Sequence, residues 1–365
     1  MRRGSGPALP GFIEHMPKAE LHLHLDGVPK GRAGRVSALR TEPDFYGLAM
    51  AYFRTAASQR VRYAEVFFDP QAHTGRGVPF EAVIGGFHRA RDNALAEFGL
   101  RAQLIMCFMR DLPAEDAMRT LEQSLPHRDK IVGVGLDSDE RENPPIKFKD
   151  VFERARGEGY RVTIHCEVGQ ADSVDHIWQC LDDIGAERID HGINCVEDAA
   201  LVARMHDDLI GLTICPMANR RAAGGLRADD LKLLLDYPLK VTVNSGDPAY
   251  FGGYLTENLT AVARAVRLTQ NEVVRLTRNA FEIAWLPVAD RDRYLAELSA
   301  YATQNSLSPR RTSKPSPPAV PAVRFRSRPS CPTAPPSVAG RPDHPKCPII
   351  SNWRSINRGL ADDRP

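Results

Sequence analysis

The sequence predicts an α/β fold, a (β/α)8 barrel of the TIM type, with a shortened segment between its first two strands and a disordered C-terminal tail. Three observations carry this. Eight short stretches of β-branched or alternating apolar residues recur along the chain, and helix-period segments separate most of them. Each reads as buried, as strands of a parallel sheet covered on both sides do. After the first stretch come His24-Leu25-Asp26-Gly27, where an open doubly wound sheet usually shows a glycine-rich phosphate turn. Such an open sheet is the alternative, and for about 300 residues the closed barrel is the simpler architecture.

The expected strands are 19–26, 62–69, 101–109, 131–138, 161–168, 188–193, 211–216 and 240–247. Between them, 79–98 places Phe80, Val83, Ile84, Phe87, Ala90, Ala94 and Leu95 near helical spacing. Segments 114–125, 147–158, 173–185, 197–208 and 228–236 repeat that pattern, and 256–268 follows the last strand. Helices at 270–285 and 289–302 close the folded part, so the barrel domain is expected over 1–302. The connection between the first two strands, 28–61, is short and begins Val-Pro-Lys-Gly-Arg-Ala-Gly-Arg, which reads as loop.

Composition changes at residue 303. The stretch 303–365 holds thirteen of the 28 prolines, eleven Lys/Arg and three Asp/Glu. Such a Pro/Arg/Ser-rich segment buries too little apolar surface to offset its ordering entropy, so it is expected to be disordered. A basic tail for an acidic partner is the functional alternative. The chain's net charge of +2 therefore leaves the body mildly acidic, which argues against a nucleic-acid partner. No apolar run is long enough for a membrane span, and the first ten residues lack the apolar core of a signal peptide. Seven scattered cysteines without a C-x-x-C pair point to reduced thiols and a cytoplasmic setting. Oligomeric state is not legible.

Chemistry in such a barrel sits at the C-terminal ends of the strands. In Glu20-Leu-His22-Leu-His24-Leu-Asp26 the two histidines share one strand face and can both reach a metal. Alone, H-x-H is more often a pair of satisfied strand histidines. The other strand ends strengthen it: Asp137 and Ser138 on the fourth, His165 and Glu167 on the fifth, Asp190 and His191 on the sixth, Asn244, Ser245 and Asp247 on the eighth. Three histidines from two strands make a Zn²⁺ shell with an open position, and His191 can orient a water there or take its proton. His15, His73, His88, His127, His176, His206 and His344 read as surface or helix histidines. Asp137 and Asp190 each also have a local reading, as cap or loop anchor.

At this point the motifs resemble the adenosine/adenine deaminase family of metal-dependent amidohydrolases. The matching stretches are Met16-Pro-Lys-Ala-Glu-Leu-His-Leu-His-Leu-Asp-Gly27, Val134-Gly-Leu-Asp-Ser138, Arg188-Ile-Asp-His-Gly192, Leu212-Thr-Ile-Cys-Pro216 and Val243-Asn-Ser-Gly-Asp-Pro248. The similarity spans nearly all of 12–302, and Asp247-Pro-Ala-Tyr-Phe-Gly-Gly-Tyr254 looks like the adenine deaminase branch. The resemblance implies one Zn²⁺ and hydrolytic removal of the 6-amino group of a purine, adenine to hypoxanthine and ammonia, in purine salvage. It implies His22, His24 and His165 as metal ligands, His191 beside the attacking water, and Asp247 on the purine ring. Asp26 and Asp137 are further substrate-binding candidates.

Three departures from the family pattern stand out. The first of two aspartates before Pro248, a metal ligand in the family, is Gly246 here. The usual acid three residues after the metal histidine is Val168, and Glu167 is the candidate proton donor in its place. The family also carries more helix between its first two strands, covering the pocket. Adenosine is the alternative substrate, and the competing non-enzyme reading is a degraded barrel that binds purine or metal without turnover.

Overall fold

The structure, a computed structural model, describes residues 8–26 and 38–305. Eight strands follow in chain order: β1 (Lys18–Glu20), β2 (Val61–Phe68), β3 (Arg101–Met109), β4 (Ile131–Asp137), β5 (Arg161–Cys166), β6 (Arg188–His191), β7 (Gly211–Ile214) and β8 (Lys240–Val243). Each pairs in parallel with the next. The sheet closes where Leu23 bridges Gly246, with the Gly246 amide donating to the His22 carbonyl at 3.0 Å. The expected barrel is therefore the observed one.

Short strands here mark the barrel wall, and the chemistry-bearing residues lie at or just past their ends. β1 ends at Glu20 by its ladder, yet residues to His24 stay extended, since His24 bridges Phe67. Helices cover the outside. Helix Phe80–Phe98 buries Val83, Ile84, Phe87, Ala90 and Ala94 on one face, as the sequence periodicity requires, and stops at Gly99 in the left-handed region.

The segment 28–61 is not loop throughout. Helix Glu42–Ser58 occupies half of it, started by Thr41, whose amide donates to Asp44 Oδ2 at 2.8 Å. It buries Phe45, Ala49, Tyr52, Phe53 and Ala56. It packs on Phe80–Phe98 so closely that a Cβ on Gly86 would lie 2.5 Å from the Glu42 carbonyl oxygen. The Val-Pro-Lys-Gly-Arg-Ala-Gly-Arg stretch lies outside the described residues. The last helix, Val288–Asn305, runs three residues past the expected boundary at 302; the rest of the tail lies outside the described residues. Among the described residues no helix is long and apolar enough to cross a membrane. The five described cysteines are buried and free.

The barrel's axis is polar as well as apolar. Trp285 sits against Phe67, Ile105 and Cys107. Its ring also lies 4.4 Å from the Arg188 guanidinium. Arg188 pairs with Glu65, which accepts from the Trp285 amide at 2.6 Å and from Tyr63 Oη at 2.8 Å. These buried charges are paired and hydrogen-bonded, which an apolar interior demands. Arg188 Nε also stands 3.7 Å from Asp190 Oδ1, and Asp190 lies directly beneath the histidines.

Candidate active site

The extended chain after β1 turns His22 and His24 to the same face, toward the barrel mouth. His165, next to last in β5, reaches them from across the barrel. Its Nε2 lies 3.1 Å from Nε2 of His22 and 3.1 Å from Nε2 of His24. Three nitrogens bound tetrahedrally to one ion at about 2.0–2.1 Å stand about 3.3 Å apart, so the donor set fits a single metal ion.

The outer nitrogens of the same rings face polar neighbours, with a hydrogen bond at His22 and none at His165 among the described residues. His22 Nδ1 is 2.9 Å from Thr213 Oγ1, and His24 Nδ1 is 3.4 Å from Asp137 Oδ2. His165 Nδ1 is 3.5 Å from Asp190 Oδ2. Asp190 is itself oriented by hydroxyls, accepting from Thr163 at 2.7 Å and Thr213 at 2.6 Å. A carboxylate behind a ligating imidazole sets its tautomer and orientation.

Burial keeps these rings neutral. It holds His22 and His165 well below the ordinary histidine range, helped by the neighbouring imidazoles. His24 is lowered to about 4 by burial. Neutral imidazole is the form that binds metal. His191 is also lowered by burial, against the pull of Asp190. It ends β6 at φ 59°, an uncommon conformation for a non-glycine residue, with its Nδ1 buried and unpartnered among the described residues. Its ring centroid is 4.6 Å from that of His22.

A cavity of about 260 Å³ opens over this cluster, and Glu167, Asp137, Asp69, Asp247 and Arg221 share its wall with the histidines. Glu167 follows β5 on a backbone fixed by Glu140, whose Oε2 accepts from the Glu167 amide at 2.7 Å. Asp247 is half-buried and caps the short helix Pro248–Phe251 through the Tyr250 amide at 3.2 Å. Beside it, Gly246 has φ 72° and no side chain to offer the cluster.

Asp26 does not line the cavity. Its Oδ2 is taken by His73 Nε2 at 2.7 Å and by the Asp69 amide at 3.3 Å. His73 lies in a helix, as expected, and is fully buried there, and its bond to Asp26 sets that carboxylate inside the wall rather than on the cavity. His176 is likewise buried, bonding Glu140 Oε1 at 2.5 Å. The sequence reading passed over Asp69, although it ends the second expected strand, and over Glu140, which carries no strand-end signal. Burial pushes Asp137 up to about 7, and burial with Asp137 and Asp26 nearby raises Asp69 well above the usual carboxylate range.

The family described as adenosine deaminase matches residues 32–301. An adenine deaminase of Rhodospirillum rubrum is 42% identical over 330 positions, covering 80% of this chain and 98% of that one. Those positions outnumber the residues this share of the chain contains, so the relative carries residues that are absent here. The crystal structure of adenine deaminase from Arthrobacter aurescens superposes with a TM-score of 0.75 at 33% identity, covering 79% of this chain and 99% of that chain. An amidohydrolase from Burkholderia ambifaria with bound Zn shares the fold, with a TM-score of 0.74 at 22% identity over 84% of this chain and 97% of its own. With a matching barrel, a convergent histidine cluster and relatives along most of its length, the chain belongs to the adenosine deaminase family and is a hydrolase of the deaminase type.

Proposed function

We propose that the protein hydrolyses adenine to hypoxanthine and ammonia, with one Zn²⁺ held by His22, His24 and His165. The convergence of three neutral imidazoles, with His165 Nε2 3.1 Å from Nε2 of both His22 and His24, carries the reading. The adenine deaminase relatives support adenine over adenosine as substrate. A bound zinc ion supplies Lewis acidity and lowers the pKa of water to near neutrality.

The chain's own residues do the rest. Glu167 donates a proton to purine N1 as the C6–O bond forms, making the ring carbon tetrahedral. His191 stands beside the attacking water and holds or takes its proton. Asp190, 3.9 Å from His22 Nδ1 and 3.5 Å from His165 Nδ1, orients both rings from below. Asp137 and Asp247 bind the purine at the wall. His191 returns its proton to the amino group, collapse of the tetrahedral carbon expels that group as ammonia, and the C6 hydroxyl proton passes to the Glu167 carboxylate, so C6 keeps the oxygen of water. Asp26, held by His73, supports the wall from behind. We place the enzyme in the cytoplasm and in purine salvage, in keeping with its free buried thiols.

Gly246 favours a second reading, a barrel that binds purine or metal without turnover, because it removes a carboxylate from the metal's surroundings. Ammonia release from adenine by zinc-loaded protein, beside elemental analysis, separates the two. Turnover that tracks zinc content establishes the enzyme; zinc and adenine bound without ammonia establishes the second reading.

A further inference from the structure

Two backbone groups flank Cys166 at the end of β5, the carbonyl of His165 and the amide of Glu167. The Val162 and Cys166 carbonyls accept from the Glu187 and Gly192 amides on the β6 side, each at 3.0 Å. By alternation the backbone polar groups of His165 turn the other way, toward β4. There the register is Gly133–Arg161 and Val134–Val162 and goes no further. β4 stays with β3 as far as Met109–Asp137, so β5 parts from it before His165.

Two side chains fill the gap. Arg110, which follows β3, donates from Nη1 to the His165 carbonyl at 2.8 Å and from Nε to the Asn143 carbonyl at 2.8 Å. Glu140, in the loop after β4, accepts from the Glu167 amide through Oε2, and that oxygen lies 3.8 Å from Arg110 Nη1. Its Oε1 is held by His176 Nδ1, and the Arg110 carbonyl accepts from Lys147 Nζ at 3.0 Å. Arg110 and Glu140 are fully buried, and neither lines the cavity over the histidines. They stand where the backbone of β4 would, Arg110 as donor and Glu140 as acceptor. A strand would do this without charge, and a buried ion pair adds little net stability because desolvation offsets its attraction. What a guanidinium adds is a rigid fork that binds two carbonyls at once. We propose that Arg110, with Glu140, is a positioning residue: from behind the site it fixes the peptide segment between His165 and Glu167, and so sets the metal ligand against the proton donor. The roles of those two side chains rest on the deaminase reading; the grip on their backbone does not.

A strand end paired on one edge alone can tilt about that edge, and small misplacements of reacting groups are costly in rate. The test uses full-length protein loaded with zinc, and a second preparation loaded with cobalt. Arg110→Lys keeps a charge beside Glu140 and loses the fork. It should lower kcat on adenine ~10- to 100-fold with little change in KM, and lose zinc to a chelator ~10-fold faster. The visible absorption bands of its cobalt form should shift from those of wild type. Glu140→Gln gives the same readings from the other side of the pair, smaller in size, should Arg110→Lys fail to fold. Leu298→Ala, a fully buried change in the last helix, is the control for lost stability alone and should leave kcat, zinc retention and the cobalt spectrum unchanged. A folded Arg110→Lys or Glu140→Gln protein with wild-type kcat, zinc retention and cobalt bands overturns the proposal. So does equal loss of all three in Leu298→Ala, since that marks a general effect of destabilisation. If wild type releases no ammonia from adenine, the deaminase reading fails, and zinc retention and the cobalt spectrum still decide the role of Arg110.

Discussion

The amide of Gly246 donates to the carbonyl of His22 at 3.0 Å, tying the end of the eighth strand to a residue of the histidine cluster. The family resemblance implies a metal carboxylate at this position, so Gly246→Asp should return a ligand to the site. The structure also shows what opposes the change. Gly246 has φ 72°, and a Cβ there would lie 3.2 Å from Cys215 Sγ and 3.3 Å from its Cβ. Aspartate tolerates the left-handed region better than most side chains, but with strain. We expect Gly246→Asp to hold zinc more tightly against a chelator and to lose ~1–2 kcal/mol of stability. Chelator competition and thermal unfolding of the two proteins check this; unchanged zinc retention would remove Gly246 from the metal account.

Glu167 is the proposed donor to N1, and Glu140 holds its amide at 2.7 Å. Glu167→Gln should lower kcat by at least ~100-fold, the usual worth of a general acid, with zinc content unchanged. Glu140→Gln should cost less and act on kcat, because it loosens the backbone that presents Glu167. Steady-state kinetics with metal analysis on each variant decides it. A fast Glu167→Gln enzyme points to another acid.

Glu20 is buried beneath the closing turn, accepting from the Ser245 amide at 2.8 Å and from Ser245 Oγ at 3.0 Å. Burial raises its pKa from 4.5 to about 8. The folded chain therefore keeps a proton that the unfolded chain releases above about 4.5. The associated stability is complete below that pH and declines as pH rises toward 8. Glu20→Gln, an isostere of the protonated acid, should remove this component. The stability of wild type relative to Glu20→Gln should fall by a few kcal/mol, on the order of 1.4 kcal/mol per pH unit, between pH 5 and 8. A constant difference across that window contradicts a neutral Glu20.

Arg188 links the barrel floor to the site, pairing Glu65 and standing near Asp190. Arg188→Met should destabilise the fold by ~3–5 kcal/mol, since two buried acids lose their counter-charge. Adding Glu65→Gln should recover part of that loss. Chemical denaturation of the single and double variants provides the measurement, and strict additivity would show that the pair is not coupled.

The barrel and its histidines were legible in the sequence because both follow from local periodicity. Alternation along 19–26 places His22 and His24 on one face whatever they meet there, and His165 lies in a stretch whose burial its own residues announce. Helix Glu42–Ser58 was less legible, because the loop-like residues before it masked its capping signal at Thr41 and Asp44. Tertiary structure decided the identity of partners. Asp26 and Asp69 both stand at strand ends, and nothing local distinguishes the acid that His73 occupies from the one left facing the cavity. His73 and His176 read as surface or helix residues; both lie in helices, and only the fold shows that they are buried. The left-handed backbone at Gly246 and His191 arises from closing the strand ends, and it governs which side chains those positions accept. Strand period is a property of consecutive residues; the environment of a carboxylate depends on segments far away in sequence, and only the closed barrel brings them together.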